Sequence, residues 1–234
     1  MVQEVRKAKQ SMDEKSLAVA LEDTLAESTI DIISDIAEVG LDAVLDDGLL
    51  KDIPIISTAV SLFKIGKTIH DRVYVKQLGV FIDEIRKHTV NEEKRQKYIN
   101  KLKENEAFRN KELEYLLTII ARYIGYEKPR MLAKTYLVYL EKRISWVELT
   151  VFSEIIDRLL PGDYEELKKG NQLNISDKNV SDHLLRLIAM GLMVSHVKDV
   201  AVATTVGSIS IPAQTEKDYE ITAFGKTFLE CLSK

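Results

Sequence analysis

The chain has 234 residues, 45% hydrophobic and 30% charged, a balance that supports a buried core and excludes wholesale disorder. Only 4 Pro and 10 Gly favour long helices over a turn-rich β architecture, and the single cysteine, Cys231, excludes a disulfide framework within the chain. The formal net charge of −4 hides a partition: residues 1–50 hold 4 Lys/Arg and 12 Asp/Glu, residues 51–145 hold 20 and 12, and residues 146–234 hold 9 and 13. Fields act locally, so an acidic start, a basic middle and a mildly acidic end are the relevant quantities.

Residues 1–16 are polar and lack the apolar stretch of a signal peptide, so a flexible N-terminus and a cytoplasmic location are expected, at most peripheral to a membrane. From Leu17 to Leu45 the apolar residues recur at helical spacing. Ile33, Ile36, Leu41 and Val44 fall on one face, and Asp31, Asp35, Glu38, Asp42 and Asp46 on another. That acidic face is a candidate surface for self-association, or for contact with the basic middle of the chain. One helix face cannot wrap a metal, so no ion is assigned to it.

Pro54 is placed to open a second helix, where its missing N–H costs nothing. Ile55, Ala59, Leu62, Phe63, Gly66, Ile69 and Val73 form its apolar stripe, with a bend at Val73-Tyr74-Val75. Lys64, Lys67, Arg72 and Lys76 lie on the rest, so the segment 54–85 is a candidate for lying on an anionic membrane surface. Gly66-Lys67-Thr68 looks like the end of a phosphate-binding loop, but Ser61 stands where the first Gly belongs and no strand precedes it.

Asn91 is the expected N-cap of a charged helix through Lys103. Leu113, Leu116, Leu117, Ile120 and Ile124 mark the next helix, closed by Gly125. Pro129 precedes another with Leu132, Tyr136, Leu137 and Leu140. Ser145 and Glu148 make a capping box for a helix ended by Pro161-Gly162. Ser176 is the expected cap of a helix through Met190, stopped by Gly191. Leu192–Val206, Ser208–Ile211 and Asp218–Thr222 have β character, and Thr222 caps a last helix.

His183-Leu184-Leu185-Arg186-Leu187 running into Gly191-Leu192-Met193, then Tyr219-Glu220-Ile221-Thr222 and Phe224-Gly225-Lys226, resemble a winged-helix domain. The resemblance covers 144–234 and implies that fold, which serves both DNA binding and protein docking. For either role the candidate contacts are Lys178, Asn179, Asp182 and Arg186 on the third helix, with Lys198 and Lys217 near the wing. Two cations and an aspartate make a poor phosphate-binding face. The chain also resembles a loosely defined group of uncharacterised bacterial helical proteins through Ile53-Pro54-Ile55-Ile56-Ser57, Leu132-Ala133-Lys134, Ile144-Ser145-Trp146 and Asp157-Arg158-Leu159. That resemblance implies architecture rather than chemistry.

His70, His88, His183 and His196 have no metal-ligand spacing, and no nucleophile motif occurs, so neither cofactor nor catalytic residue is assigned. The expected fold is mainly α, with a helical bundle over 17–143 and a winged-helix-like α+β module over 144–234. The expected function is a non-enzymatic binding or regulatory protein that engages a protein partner, with self-association as a further expectation. The alternatives are a membrane-associated effector of a bacterial defence or toxin system using 54–85, and a DNA-binding transcriptional regulator.

Overall fold

The computed structural model describes residues 16–27, 52–63, 68–88, 90–169, 180–199, 205–206, 209–210 and 215–233. The chain divides into two compact units, Met1–Asp157 and Arg158–Lys234. The division falls between Asp157 and Arg158 rather than at 143/144.

In the first unit, α1 spans 16–26, α2 Pro54–Phe63, α3 Ile69–Lys87, α4 Glu92–Glu104, α5 Glu106–Arg122, α6 Glu127–Leu140 and α7 Trp146–Arg158. Local chemistry sets most of these ends. Asn91 caps α4 by accepting from the Lys94 amide, and Asn105 caps α5 by accepting from the Phe108 amide. The Ser145–Glu148 box forms as expected: Glu148 Oε2 accepts from the Ser145 amide at 2.7 Å, and Ser145 Oγ accepts from the Glu148 amide at 3.2 Å. Pro54 opens α2, whose Ile55 amide donates to Thr24 Oγ1 at 3.0 Å, a cap supplied from α1.

Two expectations need correction here. The stripe from Pro54 is not one helix: α2 ends at Phe63, and Thr68 caps a new helix by accepting from the Asp71 amide. Ile69, placed on the apolar stripe, is 78% exposed. Nor is there a bend at Val73-Tyr74-Val75, because α3 runs unbroken to Lys87. Ile124 lies beyond the end of α5 and is also exposed.

α3 is the central helix. Every residue from Tyr74 to Glu84 is buried, including Lys76, Gln77, Asp83 and Glu84. It packs most extensively on α6, and also on α2 and α5. Two of its buried polar side chains find partners on the neighbouring chain segments. Gln77 donates to the carbonyls of Tyr123 and Gly125 at 2.8 and 3.1 Å, and Lys76 sits 4.2 Å above the Tyr126 ring. Phe81, Leu78, Leu113, Leu116, Leu132, Tyr136 and Phe152 fill the core.

α7 belongs to this unit for a chemical reason. The Trp146 ring meets the edges of Tyr115 and Tyr139 at 5.5 and 5.6 Å, and Tyr123 donates to the Ser153 carbonyl at 3.0 Å. Arg122 bridges Glu154 and Asp157. None of these partners is readable from the periodicity of α7 alone.

The turn between α6 and α7 stores strain. Arg143 N donates to Val138 O at 3.2 Å and Lys142 N to Tyr139 O at 2.8 Å, the two bonds of a Schellman cap. The left-handed position of that cap normally carries glycine, but Lys142 holds it at φ 58°. Lys142→Gly is expected to raise stability by about 0.5–1 kcal/mol, the relief of the Cβ clash less the added freedom of the unfolded chain. A thermal melt checks this; an unchanged or lower Tm contradicts it.

The second unit contains α8 Asp163–Lys169, α9 Asp182–Ala189, β1 Met193–Asp199, β2 Thr205–Val206, β3 Ile209–Ser210, β4 Thr215–Ile221 and α10 Ala223–Leu232. β1 and β4 pair antiparallel from Met193↔Ile221 to Asp199↔Thr215, and β2 pairs β3 at Thr205↔Ser210 and Val206↔Ile209. The N-cap of α9 is Ser181, which accepts from the Leu184 amide, not Ser176, which lies outside the described residues. Gly191 (φ 74°) closes α9 in a second Schellman cap, with Gly191 N on Ile188 O and Leu192 N on Leu187 O. The buried Leu192 follows, which is why Gly-Leu ends this helix. Leu167, Leu184, Leu187, Leu192, Tyr219, Phe228 and Leu232 form the core.

Candidate functional site

Two of the expected contact residues, Asp182 and Arg186, lie on α9. Its buried positions are Leu184 and Leu187. The outward positions at helical spacing are Asp182, Leu185 and Ala189, with Leu185 54% exposed. An acid and two apolar residues therefore form the outward stripe, and no cation stands on it.

Arg186, the cation expected to reach a partner, flanks that stripe four residues after Asp182 and is 33% exposed, but its guanidinium is engaged by α8. Its Nη2 donates to Asp163 Oδ1 at 2.6 Å and its Nε to Asp163 Oδ2 at 3.2 Å, a two-pronged pair between α9 and α8. Asp163 is wholly buried and has two further partners. The Leu160 amide donates to Oδ2 at 2.7 Å, and His183 Nδ1 lies 2.7 Å from Oδ1. Burial alone would push the Asp163 carboxyl up. Arg186, the Leu160 amide and His183 outweigh it and hold the carboxyl below the usual aspartate range. The same pair raises the Arg186 guanidinium.

Gly162 makes the clamp fit. It adopts φ +94°, and a Cβ there would stand 2.7 Å from His183 Cε1. The imidazole thus lies directly on the glycine, with its Nδ1 aimed at Asp163. Sequence reasoning missed this cluster. The available signals were an aspartate straight after Pro161-Gly162 and the i, i+3 spacing of His183 and Arg186, which puts both on one helix face.

The other expected contacts fare unevenly. Asp182 is exposed in the first turn of α9. In backbone register Lys198 stands opposite Glu216 on the ribbon, and Lys217 opposite Val197. Lys178 and Asn179 lie outside the described residues, as do Asp31, Asp35, Glu38, Asp42, Asp46, Lys64 and Lys67. Set against family models, curated proteins and solved structures, the chain matches none.

Of the four cations expected to face a membrane from segment 54–85, Arg72 and Lys76 lie among the described residues. Lys76 is buried beneath Tyr126 on the central helix, while Arg72 is half-buried one turn earlier. Among the described residues no helix is long and apolar enough to cross a membrane. An open groove of about 610 Å³ runs among α1, α2 and the start of α5. Asp23, Asp52 and Glu106 line it, together with Arg109, which pairs with Glu22 at 3.3 Å.

Proposed function

We propose that the chain is a non-enzymatic binding or regulatory protein that engages a protein partner through a winged-helix-like module over 158–234. The observation that carries this reading is the division of labour on α9: Arg186 is spent on Asp163, and the outward stripe is Asp182, Leu185 and Ala189. Affinity for DNA comes largely from neutralised phosphates. Residues 158–234 hold nine Lys/Arg against ten Asp/Glu, and the helix that would enter a major groove presents an acid and a leucine. An exposed leucine on a rigid helix is instead a suitable anchor for an apolar pocket on another protein.

The order α8, α9, antiparallel ribbon, α10 supports the winged-helix reading. With α7 in the first unit, two helices precede the ribbon among the described residues of this unit.

The test compares the wild-type chain with Leu185→Glu. Leu185 is solvent-facing, so the variant should keep its circular dichroism and Tm. Proteins captured by cross-linking to the wild type should bind the variant at least ~10-fold more weakly, the scale of a lost interface anchor. Random duplex DNA at low salt should give no change in fluorescence anisotropy. Equal capture by both chains, or salt-sensitive duplex binding, overturns the proposal.

A further inference from the structure

All four histidines lie among the described residues, and their ring nitrogens are held differently. His70 is exposed in the first turn of α3. His88 spends its Nε2 on Glu84 at 3.0 Å. His196 is 57% exposed on β1, with its Nε2 4.0 Å from Glu220. His183 alone sets its Nδ1 against a wholly buried carboxylate, Asp163 Oδ1 at 2.7 Å, while no hydrogen bond to its Nε2 occurs among the described residues.

That contact fixes where the ring hydrogen sits. Arg186 and the Leu160 amide both donate to Asp163, which keeps it ionised and able only to accept. A bare Nδ1 lone pair beside that oxygen would face like charge. Arg186 Nη2 also lies 2.9 Å from Nδ1. Yet Nη2, Oδ1 and Nδ1 form a nearly equilateral triangle, with sides of 2.6, 2.7 and 2.9 Å. The two hydrogens of a planar guanidinium nitrogen spread twice as wide as a corner of that triangle. With one aimed at Oδ1, neither is in line with Nδ1. The neutral ring therefore carries its hydrogen on Nδ1, and its Nε2 is a bare lone pair.

The ring is also held in place. It rests on Gly162, where a Cβ would stand 3.0 Å from Nε2, and the side chain is 39% exposed, so solvent reaches it from the side away from that glycine. An oriented imidazole, with one nitrogen on a buried carboxylate and the other open, has the arrangement of a nucleophile.

We propose that His183 Nε2 is a phosphoryl-accepting site, which takes the group from a small acyl phosphate. Arg186 selects that class: its guanidinium borders the ring, is 33% exposed and matches the spacing of phosphate oxygens. In the step, the Nε2 lone pair forms a bond to phosphorus. The bond from phosphorus to the acyl oxygen breaks, and its electron pair leaves on the carboxylate product. No hydrogen has to leave Nε2, and the positive charge that develops on the ring lies against Asp163. Asp182, one residue away, opposes an incoming anion, but it is exposed and screened by solvent. Leu185 takes no part, so the site stands or falls apart from the partner face.

The test treats the full chain with acetyl phosphate at neutral pH, avoids acid in the work-up and maps the modified peptides by mass. His183 should gain a phosphoryl group at least ~10-fold faster than His70 or His196, although both of those are exposed. No modification of His183, or a rate no higher than at His196, overturns the proposal. Asp163→Asn offers Nδ1 a donor and so favours the other tautomer. In that variant the rate at His183 should fall at least ~10-fold while that at His196 is unchanged. An undiminished rate at His183 also overturns the proposal. Should the variant unfold in a thermal melt, the comparison among the wild-type histidines decides alone.

Discussion

Gly225→Ala is expected to unfold the C-terminal unit. A Cβ at this position would stand 2.1 Å from the Leu192 carbonyl oxygen and 2.9 Å from Ile221 Cγ1. The carbonyl cannot step aside, because it is already fixed. It accepts from the Thr222 amide at 3.0 Å, and the Thr222 hydroxyl, 3.2 Å away, donates its one proton to the adjoining Gly191 O at 2.8 Å. Thr222 Oγ1 also accepts from the Gly225 amide at 2.9 Å, as the cap of α10. The end of α9, the end of β4 and the start of α10 thus meet at one backbone oxygen, and the missing side chain is what lets them meet. Overpacking against backbone costs about 3 kcal/mol or more, a large share of a small unit's stability. Limited proteolysis should cleave 158–234 while 52–157 persists. Gly191→Ala is the comparison: nothing lies within 4 Å of its Cβ, so only the left-handed strain of about 1–2 kcal/mol applies. Equal protease resistance in Gly225→Ala and the wild type contradicts the account.

Removing the buried carboxylate of α8 should have the second largest effect. Asp163→Ala strips Arg186 and His183 of their shared acceptor and leaves the Leu160 amide without one. A buried, charge-assisted network of this kind is worth about 2–4 kcal/mol. The lower half of that range is expected, because the side chains of His183 and Arg186 are 39% and 33% exposed and water recovers part of the loss. The loss should depend on pH. Asp163 is depressed in the folded state, so its contribution is present above the unfolded aspartate value, roughly pH 4, and fades as pH falls through the folded value. Chemical denaturation of wild type and variant should therefore converge below that pH. Curves that stay separate at strongly acid pH would show that packing, not charge, holds the clamp.

The clamp also adjoins the proposed partner face. While Asp163 holds Arg186, the outward stripe of α9 is Asp182, Leu185 and Ala189. Loss of the carboxylate would free a cation beside that stripe, so Asp163→Ala tests the partner face along with the fold.

Much of the local structure was legible in the amino-acid order. Asn91, Ser145 with Glu148, Pro54, Gly191 and Thr222 each mark a helix end through a hydrogen bond or a backbone angle that spans four or five residues. The same holds for the β character on either side of the hairpin tip. Such signals survive without tertiary context because both partners lie in one short stretch of chain.

The periodicity of Pro54–Ile85 misled because it counts apolar residues without counting neighbours. A stripe with lysines beside it reads as a helix with one wet side. From Tyr74 to Glu84 α3 is instead packed on all sides, and Lys76, Gln77 and Glu84 find an aromatic ring, two carbonyls and cations from α6. Those partners stand about 45–50 residues away in the chain.

By itself, then, the sequence determined a helix-rich chain, most of its caps and breaks, and a β-hairpin ahead of a closing helix. Only the tertiary structure decided that Arg186 turns onto Asp163, that α7 joins the first unit through Trp146 and Tyr123, and that Glu112 sits between the phenols of Tyr98 and Tyr139. The physical reason is range: caps and turns are set by bonds within one turn of helix, whereas a buried charge takes its partner from whichever element packs against it.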